Sequence, residues 1–194
     1  MIYLKDTCVF INYFDAFKLL QLLQSYKNSS DTFGITDVVI GELNPGKSVV
    51  AEDAEKSKSM LGLIDLLGKS KDVLKYNVEQ EEKYKINFNN IRRRFYGHLD
   101  DVQAVKKAVK KGEISQESFK NKTYRRKDVG ECSCIAVAML DPDNINIVSD
   151  DKGRVFLKPE INLFDKFVQS NGIRVLEFNE WLDEFGDYEY SKSG

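Results

Sequence analysis

The chain alternates short apolar runs with longer stretches in which apolar residues recur at helical spacing. Five short runs predict strands, at residues 1–5, 33–36, 73–76, 145–148 and 173–176. Strands that alternate with helices are typical of βαβ units. The pattern therefore predicts an α/β fold with a central parallel sheet of about four to five strands, flanked by helices on both faces.

The stretches between the strands predict helices that end at turn-forming residues such as Gly68 and Gly112. These helices cover residues 7–26, 36–43, 51–67, 79–111 with a break near Gly97, and 129–140. A further helix is predicted to carry Pro159 in its first turn and to run to Ser170, and a short one surrounds Trp181. Residues 187–194 predict a frayed tail, so we expect one domain over residues 1–186.

Composition narrows the class of protein. A chain of 194 residues with 42% apolar content is long enough to bury a core without disulfides. Its three cysteines, Cys8, Cys132 and Cys134, lie in predicted helices among small and apolar neighbours, which favours reduced packing residues and a reducing cytoplasm. No leader and no apolar run of membrane-spanning length is apparent, so no membrane association is expected.

Charge is distributed unevenly. Residues 92–127 hold twelve basic and four acidic residues, a local net charge of +8, whereas the whole chain carries −2. Segment 79–127 therefore reads as a helical, basic insertion in the domain. A basic rim beside acidic residues fits a protein that binds both cations and a polyanion.

Carboxylates stand where predicted strands or helices end, in four separate stretches of the chain. They are Asp6, Glu42, Asp128, Glu131, Asp150 and Asp151. Ligands of parallel α/β folds gather at the carboxyl ends of the strands. Acids that are distant in sequence but equivalent in structural position predict a single divalent-metal site there.

The order of these stretches resembles that of the PIN-domain nucleases. The matching stretches are Asp6-Thr7-Cys8-Val9-Phe10-Ile11, the helix ending in Glu42, Asp128-Val129-Gly130-Glu131 before Ile135-Ala136-Val137-Ala138, and Ile147-Val148-Ser149-Asp150-Asp151. A closing stretch, Asn171-Gly172-Ile173-Arg174-Val175-Leu176, is also similar. The resemblance omits roughly residues 69–127. Cys8 stands where that family usually has Asn or Ser next to its first Asp-Thr, which predicts that a polar contact is missing there.

The resemblance implies a PIN-like fold and an endoribonuclease that uses Mg²⁺ or Mn²⁺, such as the VapC group of toxins in toxin-antitoxin pairs. It places the catalytic acids at Asp6, Glu42, Glu131 and Asp151, with Asp128 and Asp150 as additional or substitute ligands. It also implies an RNA substrate, an antitoxin protein if the chain is a toxin, and a homodimer. Hard oxygen ligands suit both metals.

The basic insertion supplies the candidate nucleic-acid contacts. They are Arg92, Arg93, Arg94, Lys106, Lys107, Lys110, Lys111, Arg125 and Arg126. Phe95 and Tyr96 add aromatic surface on which unpaired bases can stack. The lysines also recur at the spacing of an ordinary solvated helix face, so both interpretations stay open.

Two other functions fit the same residues. One is a catalytically inert PIN-like module that binds nucleic acid or protein, and the other is a structure-specific DNA nuclease. Purely structural roles are also open: Asp6 as a helix cap, Glu42 as a solvated helix-end acid, and Asp128 with Glu131 as a capping box. One of Asp150 and Asp151 is expected to be a turn residue.

Overall fold

A computed structural model describes residues 1–26, 31–46, 51–70 and 72–185. The predicted tail, 187–194, lies outside the described residues. None of the helices within the described ranges combines the length and the apolar character needed to span a bilayer.

The centre of the molecule is a five-stranded parallel sheet. Its strands are β1 (Ile2–Lys5), β2 (Thr32–Thr36), β3 (Val73–Tyr76), β4 (Ile145–Val148) and β7 (Arg174–Leu176). Their order is β3-β2-β1-β4-β7, and every neighbouring pair is parallel. The predicted α/β class and parallel sheet are therefore confirmed, with strand boundaries that differ from the prediction by one residue at most.

Helices flank this sheet and connect its strands. They are α1 (Thr7–Tyr13), α2 (Ala16–Tyr26), α3 (Asp37–Glu42), α4 (Ala54–Lys69), α5 (Glu82–Tyr96), α6 (Val102–Lys110), α7 (Gln116–Asn121), α8 (Val129–Ala138), α9 (Leu163–Asn171) and α10 (Phe178–Phe185). Short 3₁₀ helices cover Ala51–Asp53, Gly97–Asp100 and Thr123–Arg126. The segment predicted as one helical stretch, 79–111, is interrupted at Gly97 as expected.

Local caps set where the helices nearest the site begin. The Asp6 carboxylate accepts a hydrogen bond from Thr7 N at 2.7 Å, and the Thr36 hydroxyl accepts one from Val39 N at 3.1 Å. Each cap directly follows a buried strand, so α1 and α3 start at the carboxyl ends of β1 and β2.

The strand order reverses beside β1, and this reversal positions the site. The chain moves outward from β1 to β2 and β3, then returns to pair β4 with the other side of β1. Such a switch point opens a crevice at the carboxyl ends of the two strands. Helix α8, whose residues 132–138 are all buried, packs against β2, β4, α3 and α5 and closes one side of that crevice.

The prediction that Pro159 begins a helix was wrong. Residues Lys158–Asn162 form β6, which pairs antiparallel with β5 (Arg154–Val155) in a two-stranded ribbon. Helix α9 starts at Leu163, where the Asn162 side chain accepts a hydrogen bond from Asp165 N at 3.2 Å. Asn is the stronger N-cap, and proline is tolerated at the edge of a short ribbon because one side of the strand needs no donor.

Candidate functional site

Five of the six predicted acids line one cleft at the carboxyl ends of β1 and β4. The cleft has a volume of about 360 Å³. Its acidic residues are Asp6, Glu42, Asp128, Glu131 and Asp151. They come from the start of α1, the end of α3, the start of α8 and the loop after β4, so the fold joins stretches up to 145 residues apart in sequence.

Asp6 lies deepest and is held by three donors. Besides Thr7 N, its carboxylate accepts a hydrogen bond from the Ser149 hydroxyl at 2.9 Å, and the Cys8 thiol lies 3.7 Å from Oδ2. Burial raises the pKa of Asp6, and the charge of Asp151 adds to that rise while the hydrogen bonds oppose it. These hydrogen bonds thus fix the carboxylate in position, and among the described residues it forms no ion pair.

Glu42 reaches the cleft from α3 through a close passage beside α8. Its Oε2 accepts a hydrogen bond from the Thr7 hydroxyl at 2.6 Å. A Cβ at Gly130 would overlap this oxygen and would lie 3.0 Å from Asp6 Oδ1. Burial raises the pKa of Glu42 to about 6, with the Asp6 charge contributing. Glycine at position 130 is therefore what lets the two carboxylates approach α8.

Glu131 stands in the first turn of α8 and faces the same cleft. Burial raises its pKa well above the ordinary value, and the charges of Asp6 and Asp128 raise it further. The helix N-terminus favours a negative charge at this position, which limits the cost of ionising it.

Asp128 has a different role from the predicted capping box. It occupies the N-cap position of α8 with a left-handed backbone, φ 56°, and its side chain makes no cap hydrogen bond. Instead its Oδ2 accepts hydrogen bonds from the Tyr96 hydroxyl at 2.9 Å and from Phe156 N at 2.8 Å. Burial raises its pKa. Asp128 therefore connects α5 to the segment between β5 and β6 and also lines the cleft.

Of the two acids after β4, the structure brings only Asp151 to the cleft. Asp150 accepts hydrogen bonds from the Tyr13 hydroxyl and from Phe178 N, the latter at 2.9 Å, and so fixes the start of α10. Asp151 is exposed, and its backbone N–H donates to the Ser149 hydroxyl at 3.1 Å. Ser149 thereby links Asp151 to Asp6.

The donor set fits a hard divalent cation in its chemistry. Burial is the main cause of the raised pKa values of Asp6, Glu42, Asp128 and Glu131, and the charge of at least one other cleft acid adds to each rise. Within the described ranges none of the five acids forms an ion pair. A cation bound among these carboxylates would offset the repulsion between their negative charges and lower their raised pKa values. In this structure, however, the described residues contain no group of three or more acid, histidine or cysteine side chains already arranged to hold a metal.

The exposed basic residues of the insertion divide into two classes. Arg126 and Lys127 line the acid cleft, whereas Arg93, Arg94 and the four lysines of the α6 region do not. Arg125 is exposed and pairs with Asp100 at 3.2 Å.

Arg92 is used inside the fold. Its guanidinium donates to the carbonyls of Lys127, at 2.7 Å, and Arg125, at 2.8 Å, and its Cζ lies 3.9 Å from the centre of the Tyr96 ring. It therefore holds the Arg126–Lys127 segment in place, so its assignment as a nucleic-acid contact has no support from this geometry.

Several residues at the site were not predicted from the sequence. Thr7, Gly130 and Ser149 position the carboxylates, and Lys127 borders the cleft beside Arg126. Each lies within two residues of a predicted acid or basic residue, so proximity in sequence was the available signal. The contact expected to be missing at Cys8 is partly present, because its sulfur lies 3.5 Å from the Ser149 hydroxyl.

Comparisons with protein-family models, with curated proteins and with solved structures each found no match to this chain. The assignment of a function therefore depends on the chain's own residues and their arrangement.

Proposed function

We propose that the protein is a PIN-like, divalent-metal-dependent endoribonuclease that cleaves RNA with Asp6, Glu42, Glu131 and Asp151. The observation that carries the proposal is the single cleft that unites acids from four separate stretches at the carboxyl ends of β1 and β4. Mg²⁺ or Mn²⁺ is the cation that such oxygen ligands favour. Toxin activity with a cognate antitoxin, and a homodimer, belong to the same proposal through the resemblance alone.

We infer three separate roles for the residues of the cleft: holding the cation, orienting the carboxylates and binding the phosphate. Asp6, Glu131 and Asp151 would hold the cation, with Glu42 and Asp128 beside them, and the cation would supply an activated water and a stabilised leaving oxygen. Thr7 and Ser149 orient the carboxylates of Glu42 and Asp6. Arg126 and Lys127 border the cleft where the scissile phosphate would lie.

Histidine chemistry is not part of this proposal. The sole histidine, His98, lies outside the cleft, and its Nε2 is 3.0 Å from the Phe156 carbonyl oxygen. A metal-bound water needs no imidazole base because the metal itself lowers the water's pKa. The absence of histidine from the cleft is therefore compatible with hydrolysis.

The test is cleavage of single-stranded and hairpin RNA with Mg²⁺, Mn²⁺ or EDTA, using wild type and Asp6→Asn. We expect cleavage only with metal, and a loss of at least about 100-fold in the variant because one anionic ligand is gone. Asp150→Asn is the matched control: this acid neighbours the site but points away, so full activity is expected. Metal-independent cleavage, or equal loss in both variants, would contradict the proposal.

An inert PIN-like binding module is the second candidate, favoured by the lack of a preformed ligand group among the described residues. Calorimetric titration with Mn²⁺ separates the two functions. The nuclease proposal expects saturable binding that Asp6→Asn weakens at least tenfold, whereas the inert module expects no such dependence on Asp6. DNA of matching sequence in the cleavage assay distinguishes a DNA nuclease.

A further inference from the structure

A second and larger cavity adjoins the acid cleft. Its volume is about 700 Å³, and the two cavities share three lining residues: Glu42, Arg126 and Lys127. Much of its wall comes from the insertion, including the turn after α6, helix α7 and the 3₁₀ helix that follows. The insertion therefore builds a compartment next to the acids in addition to presenting basic side chains.

Five of the side chains that line this cavity are apolar, and two of these are aromatic. They are Val38, Phe88, Ile114, Val129 and Phe156. The Phe156 ring lies beneath the Lys127 ammonium, 5.8 Å from Nζ to the ring centre. The Phe156 main chain is held on both sides, by Asp128 at its N–H (2.8 Å) and by His98 at its carbonyl (3.0 Å). The backbone that carries this ring is thus held in place at both polar groups.

Hydroxyl groups give the cavity a polar side. Ser115, Ser118 and Thr123 line it. Thr123 donates to the Ser118 hydroxyl oxygen at 2.8 Å, so the Ser118 hydroxyl keeps its own hydrogen to donate. Apolar and aromatic walls with a few fixed hydrogen-bonding groups are what an unstacked base requires, since it offers a flat face and a polar edge.

We propose that this cavity binds one unpaired base of the RNA strand, with the adjoining phosphates on Arg126 and Lys127 and the scissile bond in the acid cleft. The inference rests on the proposed function for the identity of the polymer. The passage between the two cavities is bordered by two cations, Arg126 and Lys127, and by the Glu42 carboxylate. The two basic side chains favour the proposal, because a nucleotide carries its phosphate next to its base. The cavity then selects single-stranded RNA by requiring a base to leave its stack.

The test compares two hexamers with the same number of phosphates, hexaadenylate and a chain of abasic spacers, binding to the full chain with Ca²⁺ in place of Mg²⁺. We expect hexaadenylate to bind at least tenfold more tightly. Phe156→Ala should remove most of that preference, a loss of roughly five- to 150-fold for a stacked base, and Ser118→Ala should lose about two- to tenfold. Both variants should bind the abasic chain as wild type does.

Phe17→Ala and Ser59→Ala are matched controls, since both side chains are exposed and line neither cavity. They should keep the wild-type preference for hexaadenylate. If the wild type binds the two hexamers equally, the inference is wrong. The alternative occupant of the cavity is then a segment of a protein. A folded Ser118→Ala with full preference also counts against it, even if Phe156→Ala unfolds. Base-dependent binding without metal-dependent cleavage would refute the proposed function but keep the assignment of this cavity to an unpaired base.

Discussion

Lys5 and Asp6 are neighbours in sequence, and both are buried, but the fold treats their charges in opposite ways. Asp6 opens into the acid cleft and accepts hydrogen bonds from Thr7 N and Ser149. Lys5 is fully enclosed in the core on β1, with its ammonium nitrogen 3.3 Å from the centre of the Trp181 ring, and Nζ has no hydrogen-bond partner among the described residues.

The difference lies in access to solution. Lys5 is the last residue of β1, and its side chain meets Trp181 of α10, whereas Asp6 follows the strand, caps α1 and lines the cleft. A cation from solvent can compensate the acids of an open cleft. Nothing from solvent can compensate Lys5, and burial lowers its pKa well below the ordinary value. This difference supports the proposed function of the acids and a purely structural role for Lys5.

The largest expected effect separates two acids of the cleft. Glu131→Gln should lower metal-dependent cleavage at least about 100-fold, because it removes a proposed ligand. Asp128→Asn should cost less than about tenfold, because an amide oxygen can still accept from Tyr96 and Phe156 N. The measurement is initial cleavage rate with Mn²⁺ on variants whose circular dichroism matches the wild type. Equal losses would mean that both acids hold the metal.

The sequence predicted the sheet well because its strands are short apolar runs bounded by turn residues, as in Ile145–Val148. It missed β6, since five residues with Pro159 carry too weak a strand signal without their partner β5. Among the acids, position after a strand could not distinguish Asp150 from Asp151. That choice depends on Tyr13 and Phe178 N, which are distant in sequence and draw Asp150 away from the cleft.

The second prediction concerns the stability of the metal-free protein. The pKa of Glu42 is raised to about 6 from an ordinary value of 4.5. The folded state therefore binds more protons than the unfolded chain between those pH values, so stability is fully present below pH 4.5 and is lost as pH rises through 6. At pH 7.5 in EDTA, Glu42→Gln should raise the free energy of unfolding by about 2 kcal/mol.

Urea unfolding from pH 4.5 to 7.5 measures this effect. The wild type should lose stability across the range more steeply than the variant, and added Mn²⁺ should restore it in the wild type above pH 6. Glu81→Gln, on an acid outside the cleft, is the control. If the stability of wild type and of Glu42→Gln depended on pH in the same way, the pKa of Glu42 would not be raised in the folded state.

A smaller effect distinguishes the two classes of basic residues. Arg126→Gln with Lys127→Gln should lower the slope of log K against log salt for single-stranded RNA by up to about 1.4, which corresponds to roughly sevenfold between 50 and 200 mM. The matched pair Lys106→Gln with Lys107→Gln should change the slope less, since those side chains line neither cavity. RNA binding across a salt series with Ca²⁺ measures both. A larger change from the lysine pair would place the RNA path on α6.

The smallest effect returns to Lys5. Lys5→Met should raise the free energy of unfolding at pH 7 by about 1 kcal/mol or more, because it removes a buried donor without a hydrogen-bond partner while keeping an unbranched side chain against Trp181. Since the pKa of Lys5 is lowered on folding, the unfolded chain binds the extra proton, so wild-type stability should rise with pH up to about 10.5. The variant should lose that rise.

Lys75→Met, on β3 with its ammonium paired to Asp65 at 3.3 Å, is the control and should stay within about 0.5 kcal/mol of wild type. Destabilisation by Lys5→Met would show that the contact between the ammonium and the indole ring outweighs the cost of burial, and that Lys5 remains charged in the core.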